Sequence, residues 1–296
     1  MAELALRPGQ PGTGQGAGLF AVALVWIAAP IHAYVSVVGF NQCGSMSTVK
    51  RLGALFAVLL TTFSLVTPTA SAATDLLPDL RMKKPDGFYI QVASNGERRL
   101  RFNTVVGNYG AGPFHVLAKR PDTSTARMSL TQRVALSDGR ARSVVIEPSK
   151  SYAYWGGDGH SHWHIDRLQE FTIRKVDDRD PGLLGPVLGR GAKIGFCFYD
   201  NTKINLSLPN APQAPRYTGC GASTATQVTM GLSVGWGDIY TAQTNYQWIK
   251  INGLKDGKYR IHVRADHRNN FQESSETNNT AFTTIRITGN TVSVVG

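Results

Sequence analysis

Three histidines, His160, His162 and His164, alternate with Ser161 and Trp163 in the run Asp158-Gly-His-Ser-His-Trp-His. Imidazole is a ligand for copper, zinc, iron or nickel, whereas a cluster of carboxylates would point to calcium or magnesium. The chain has 7 His, and three of them fall within five positions, so the concentration itself points to a metal centre. The competing explanation is a His-rich strand that binds metal only weakly. The trio alone fixes neither the ion nor the reaction.

Side chains two apart on a strand share a face, so a strand through this run puts all three imidazoles on one side. Residues i and i+2 are roughly 6.6 Å apart along a strand, and three rings reach one ion only if the strand bends. Gly156, Gly157 and Gly159 just upstream are placed to permit that bend.

The elements that must carry this run are strands. Phe88–Val92, Arg99–Val106, Phe114–Leu117, Val144–Ile146, Phe171–Val176 and Ile194–Phe198 each read as a short strand between turn residues. Gln247–Ile251 and Tyr259–Ala265 flank the turn Lys255-Asp256-Gly257 as a hairpin would, and Ala281–Ile287 supplies a last strand. No stretch of the body keeps a helical period, so the expected class is all-β, a β-sandwich or related Greek-key architecture. Between Asp200 and Tyr240 the alternation fades around Pro209, Pro212 and Pro215, and a long irregular segment is expected.

Ahead of the body lies an apolar preface. Gly18–Phe40 is almost wholly apolar, and Met46 then opens a second signal. That signal has Lys50-Arg51 as its basic region, Leu52–Val66 as its apolar region and Ala70-Ser71-Ala72 as a cleavage site. Residues 1–45 are therefore expected to be an upstream over-extension or an N-terminal anchor. Residues 46–72 are expected to be a signal peptide, and 73–296 an exported domain.

Cys197 and Cys220 form an even pair in the body, suited to one disulfide in an oxidising compartment, with two buried free thiols as the alternative. The chain carries a net charge of +11. Its 31 basic and 20 acidic residues, less Arg7, Lys50, Arg51 and Glu3 of the leader, leave +9 on the body. No nucleic-acid-binding motif accompanies that charge. Loose association with anionic cell-wall or membrane polymers is expected instead of specific nucleic-acid binding.

Taken in order, the body resembles the catalytic domain of the lysyl oxidase family, secreted copper-dependent amine oxidases, in a bacterial-type form. The likeness is carried by Asp79-Leu80 and Phe88-Tyr89-Ile90-Gln91, then Arg101-Phe102 and Gly107-Asn108-Tyr109-Gly110. The three His, Glu170-Phe171 and Lys193-Ile194-Gly195-Phe196-Cys197 follow. Gly237-Asp238-Ile239-Tyr240, Gln247-Trp248-Ile249 and Asn278-Asn279 close the series. Two extra residues stand before Glu170-Phe171.

The resemblance implies that His160, His162 and His164 bind copper and that Lys193 and Tyr240 cross-link into lysine tyrosylquinone. It implies oxidation of primary amines, peptidyl lysine among them, by O₂ to aldehydes with release of hydrogen peroxide and ammonia. Because the two side chains are expected to start apart, the segment Asp200–Ile239 is expected to rearrange to bring them together. Asp238 is a candidate base or orienting carboxylate. Asp79, the Leu80 carbonyl, Glu273, Asn278 and Asn279 fall where the family binds calcium. Ser275 stands in place of an Asp there, which should weaken the site.

Two rival functions are open at this stage. A non-catalytic secreted Ig-like module for metal binding or adhesion would explain the three His and the Glu276-Thr277-Asn278-Asn279 ending, but gives no reason to keep Lys193 with Tyr240. A zinc hydrolase would need a Glu placed as general base in a recognised zinc motif, and none accompanies the trio.

Overall fold

The computed structural model describes residues 72–157, 159–177, 179–180 and 182–295. The over-extension expected at 1–45, and the signal peptide apart from Ala72, lie outside them. No helix occurs among the described residues, and none is long and apolar enough to cross a membrane. In chain order the first strands are β1 (Asp75–Leu76), β2 (Leu80–Met82), β3 (Asp86–Val92), β4 (Arg98–Asn108), β5 (Phe114–Lys119) and β6 (Arg127–Leu136). Then come β7 (Ala141–Ile146), β8 (Ala153–Trp155), β9 (Trp163–Asp166), β10 (Gln169–Val176), β11 (Leu184–Arg190) and β12 (Gly195–Phe196). The last are β13 (Thr202–Lys203), β14 (Gln227–Leu232), β15 (Trp236–Tyr240), β16 (Trp248–Lys250), β17 (Gly257–Ala265), β18 (Thr280–Thr288) and β19 (Thr291–Val294).

These form three antiparallel sheets in a sandwich-like, all-β arrangement, as the alternating sequence predicts. The first has the order β12-β9-β8-β6-β5-β14, the second β11-β10-β17-β18-β19, and the third β13-β15-β4-β16, with β2 and β3 also on β4. The longer strands show the pattern that makes them: β17 alternates buried Tyr259, Ile261, Val263 and Ala265 with partly exposed neighbours.

A chain of aromatic rings joins the three sheets. Phe102 of β4, Phe171 of β10, Phe196 of β12 and Tyr240 of β15 meet edge to face, with centroids 5.4, 5.7 and 5.2 Å apart. Pairs of this kind each contribute about 0.5–1.5 kcal/mol beyond the area they bury. The line of rings leads from the centre of the core to the phenol of Tyr240.

Two expectations are corrected. The hairpin around Lys255-Asp256-Gly257 does not form: β16 pairs with β4, and β17 pairs with β10 and β18. The outer edge of β16 is also taken, by a bridge from Ile249 to Gly191 and by the Trp248 carbonyl accepting from Ala192 N. No edge is left for β17. The stretch from Asp200 to Tyr240 holds β13, β14 and β15, and only its middle is irregular. Buried Asp200 fastens that middle, its carboxylate accepting from the backbone N of Arg216, Tyr217 and Ser233 and from the Ser233 hydroxyl.

Candidate metal centre and cross-link site

The three imidazoles converge. Each of His160, His162 and His164 offers a nitrogen within 4.8 Å of the other two, and the ring centroids are 4.7 to 5.5 Å apart. They do so by a different route from the bent strand expected. Only His164 lies in a strand, β9, paired across to Tyr154 of β8. His160 and His162 come from the loop between β8 and β9. Gly159 sits at φ +90°, a backbone conformation that glycine adopts without strain, and it turns His160 back over the cluster. Gly156 lets the chain pass against the His164 ring, since a Cβ there would fall 2.6 Å from Cε1.

The donor set fits a bound transition metal. His162 Nε2 and His164 Nε2 are 3.0 Å apart, close to the separation of two nitrogens that each lie about 2.0 Å from one ion. Burial, the nearby charge of Lys193 and the two other His hold the His164 imidazole down to about 2, so it is neutral and able to ligate at any physiological pH. His160 Nε2 faces the Asn245 carbonyl at 3.4 Å, which gives its ring an outer contact of the kind that orients metal ligands.

Lys193 lies in the connection between β11 and β12, two residues before β12 begins. Pairing of Gly195 with Asp166 and of Phe196 with Ile165 lays β12 beside β9 and brings Lys193 next to the His cluster. Ala192 N donates to the Trp248 carbonyl and the Ile194 carbonyl accepts from Arg167 N, so the backbone is held on both sides of the lysine. Lys193 is 5% exposed. Its Nζ lies 5.3 Å from the centre of the Tyr240 ring and 5.2 Å from that of Phe196. Lys193 and Tyr240 therefore already lie close together in this structure.

Tyr240 ends β15, opposite Thr104 of β4. Its hydroxyl donates to the Cys197 carbonyl at 2.6 Å, and Asp238, two residues back on the same face, lies against the same phenol. Burial first, and then the Asp238 charge, push the Tyr240 phenol well above its ordinary value. Asp238 is fully buried, and burial drives its carboxyl well above 3.8 despite hydrogen bonds from Tyr240 and from Asn201 Nδ2. Its surroundings thus favour the neutral form of Asp238, beside the phenol.

Cys197 and Cys220 are joined in a disulfide, Cα–Cα 5.9 Å. The bond fixes Cys197, whose carbonyl holds the phenol, to the far end of the irregular segment.

A cavity of about 510 Å³ opens onto this site, lined by His164, Lys193, Asp166, Arg127 and the tyrosines 152, 154 and 246. Sequence reasoning passed over Arg127, Asp166 and Tyr246. Tyr246 carried a signal only in its backbone, which takes φ +62°, a conformation uncommon for an aromatic residue.

The second metal candidate lies at the start of β2. Asp266, Glu273 and Glu276 each bring a carboxylate oxygen within 4.8 Å of the others. Glu273 accepts from Leu80 N and from Asn279 Nδ2, which draws the Asp79-Leu80 strand to the cluster. Asp79 Oδ1, Glu276 Oε2, Asn278 Oδ1 and Asn279 Oδ1 are buried and accept no hydrogen bond. Burial first, with the charges of Asp266 and Glu276 beside it, raises Glu273 to about 9. Ser275 turns away to Thr277. Glu276 and Asp266, neither of them singled out as a ligand from sequence, supply carboxylates to the cluster.

Comparison with known proteins gives one consistent result. The lysyl oxidase family model matches residues 121–296. Human protein-lysine 6-oxidase is 40% identical over 221 residues, 72% of this chain and 46% of that protein. The chicken protein-lysine 6-oxidase is 28% identical over 221 residues, 72% of this chain and 46% of its own. Human lysyl oxidase homolog 1 is 31% identical over 147 residues, 49% of this chain and 23% of that protein. The chain thus spans less than half the length of these relatives. With the family model covering more than half of its residues, and the ordered tags on the strands described, the chain belongs to the lysyl oxidase family.

Proposed function

We propose that the protein is an exported, copper-dependent amine oxidase whose organic cofactor is made from its own Lys193 and Tyr240. The observation that carries this reading is the approach of Lys193 Nζ to 5.3 Å from the Tyr240 ring centre, beside three convergent imidazoles. A binding module has no use for a buried lysine held over a buried phenol. The net reaction is that of a primary amine with O₂ and water, giving aldehyde, ammonia and hydrogen peroxide. Copper and the quinone, when present, supply the electron transfer to O₂.

The chain's own residues supply the rest. His160, His162 and His164 would hold the ion. Lys193 and Tyr240 are set for a covalent bond between Nζ and a carbon of the oxidised ring, with O₂ as the oxidant. The Cys197 carbonyl and the Asp238 carboxyl hold the phenol oxygen from two sides and fix the ring's orientation. Phe196 closes the inner side of the ring and keeps water from it. Substrate would be a primary amine or a lysine of a peptide or protein. Export is supported by the disulfide, which persists in oxidising compartments.

Calcium is proposed at the Asp79-Leu80 and Glu273–Asn279 cluster. Four buried oxygens without donors are the chemistry a hard cation satisfies. Glu276 and Asp266 offset the carboxylate missing at Ser275.

The decisive test is peptide mapping by mass spectrometry after copper loading in air. A covalent link between the peptides bearing Lys193 and Tyr240, with a broad visible band lost in Lys193→Ala and Tyr240→Phe, is the expected result. A colourless, unlinked protein that releases no peroxide with any primary amine would overturn the proposal.

A further inference from the structure

We infer that Arg127 selects the substrate: the cavity beside Lys193 takes a primary amine that carries a carboxylate, such as a lysine with an acidic neighbour. This rests on the amine oxidase proposed above and names which amines it uses.

Three features of the cavity carry it. First, Arg127 is an exposed cation on the cavity wall that also holds His164 and Lys193. Its guanidinium stacks on the Tyr152 ring at 3.9 Å, which fixes the direction of the side chain but leaves its edge for a planar anion. Second, the one carboxylate lining the cavity, Asp166, is already answered. It pairs with Arg167 at 3.3 Å, and Arg268 and Arg127 also act on it. An incoming ammonium therefore meets a wall whose one carboxylate is already offset by guanidinium groups and where Arg127 and Lys193 are the lining cations, so an amine with a second positive charge is disfavoured and one with a nearby negative charge is favoured.

Third, the wall beside Arg127 is aromatic and continues past it. Tyr152 and Tyr154 pack edge to face at 6.3 Å, and Tyr154 meets His164 at 5.7 Å. A second hollow of about 450 Å³, lined by Trp155, Trp163 and Ser223, shares Arg127 and Tyr154 with the first. Arg127 thus stands between the reacting end and a further aromatic surface, where the remainder of a longer substrate can lie. Arg120, the other arginine there, is spent on the backbone carbonyls of Ala225, Thr123, Thr125 and Ser223 and offers no such anchor.

The experiment compares three amines of similar length on the copper-loaded protein by peroxide release: hexylamine, 1,5-diaminopentane and 6-aminohexanoate. Acetylated Lys-Glu and Lys-Lys dipeptide amides serve as the peptide arm. The expected order of kcat/KM is 6-aminohexanoate, hexylamine, diaminopentane, and Lys-Glu above Lys-Lys. The ratio of 6-aminohexanoate to hexylamine should fall about tenfold in Arg127→Gln, recover in part in Arg127→Lys, and shrink with added salt. A preference for acidic substrates only among the peptides assigns the site to polypeptide lysine, and one shared by 6-aminohexanoate assigns it to the charge pair itself; either supports the inference. Equal preference for the acidic substrate in the parent and Arg127→Gln, among the small amines and among the peptides alike, overturns it while leaving the oxidase intact. Absence of peroxide with every amine, together with absence of the cross-link, overturns the oxidase itself.

Discussion

Lys193 Nζ stands 5.3 Å from the centre of the Tyr240 ring, both residues are buried, the backbone is hydrogen-bonded on either side of Lys193, and the Tyr240 hydroxyl is held by the Cys197 carbonyl. The pair is in place before any bond joins it. Cross-linking should therefore need only copper and O₂, with no slow conformational step. Loading purified protein with copper in air should give the linked peptide with the kinetics of oxidation, at a rate insensitive to viscogen. A rate that tracks viscosity would show that the segment between them has to move after all.

Metal binding should depend on the loop as well as the ligands. His164→Ala should lower copper affinity on the order of 100-fold or more, and Gly156→Ala, which pushes a methyl group against the His164 ring, about tenfold. Gly156 lies outside the strands, and His164→Ala trims a side chain of β9 while keeping its backbone pairing with β8. Isothermal titration with copper, read beside an unchanged thermal unfolding profile, checks the pair.

The buried acid Asp238 sets a pH dependence that can be read without any metal. Its folded value lies above the ordinary 3.8, so its contribution to stability is full below that value and is lost as pH rises toward the raised one. Asp238→Asn keeps the shape and a hydrogen-bond donor but cannot ionise. The variant's melting temperature should fall less steeply with rising pH than the parent's. Parallel pH profiles would show that Asp238 is already ionised in the fold.

Removing calcium should loosen the end of the sandwich where Glu273 holds Leu80 N. A chelator should lower the melting temperature, and Glu276→Gln should weaken calcium binding about tenfold, the scale on which ligand charge tunes such sites. Ser275→Asp should change affinity far less than Glu276→Gln, since Ser275 turns toward Thr277.

Opening the disulfide should destabilise the fold by ~3 kcal/mol on the loop-entropy view. The Cys197→Ala, Cys220→Ala double variant should also mature its cross-link slowly, because the phenol's acceptor is the Cys197 carbonyl. Chemical denaturation and the same peptide map measure the two effects separately.

Much of this was legible from residue order. The alternation in Gly257–Ala265 and Thr280–Thr288 is a local property of a half-buried strand, and it marks those elements directly. The His trio was legible as a metal site from its composition, yet its geometry was not. A one-residue alternation suggests a strand, while the fold spends two of the three His in a loop turned by Gly159. Arg127, Asp166 and Tyr246 were hidden for a different reason. They reach the cavity from β6, from β9 and from the loop before β16, and nothing in the sequence states that these three come to one wall. Glu276 read as part of a strand-end motif, because only the tertiary contact with Asp266 and Glu273 reveals it as a member of a carboxylate cluster.

The run from Asn245 to Trp248 shows what this arrangement costs in freedom to change. Asn245 presents its carbonyl to His160, and Tyr246 forms part of the cavity wall. Gln247 is anchored in the core through Thr104, and the Trp248 ring lies under the guanidinium groups of Arg99 and Arg101. Four consecutive positions serve four different neighbours. A single inserted or deleted residue would hand each task to the wrong side chain at once, so this tetrapeptide can drift in identity but not in length.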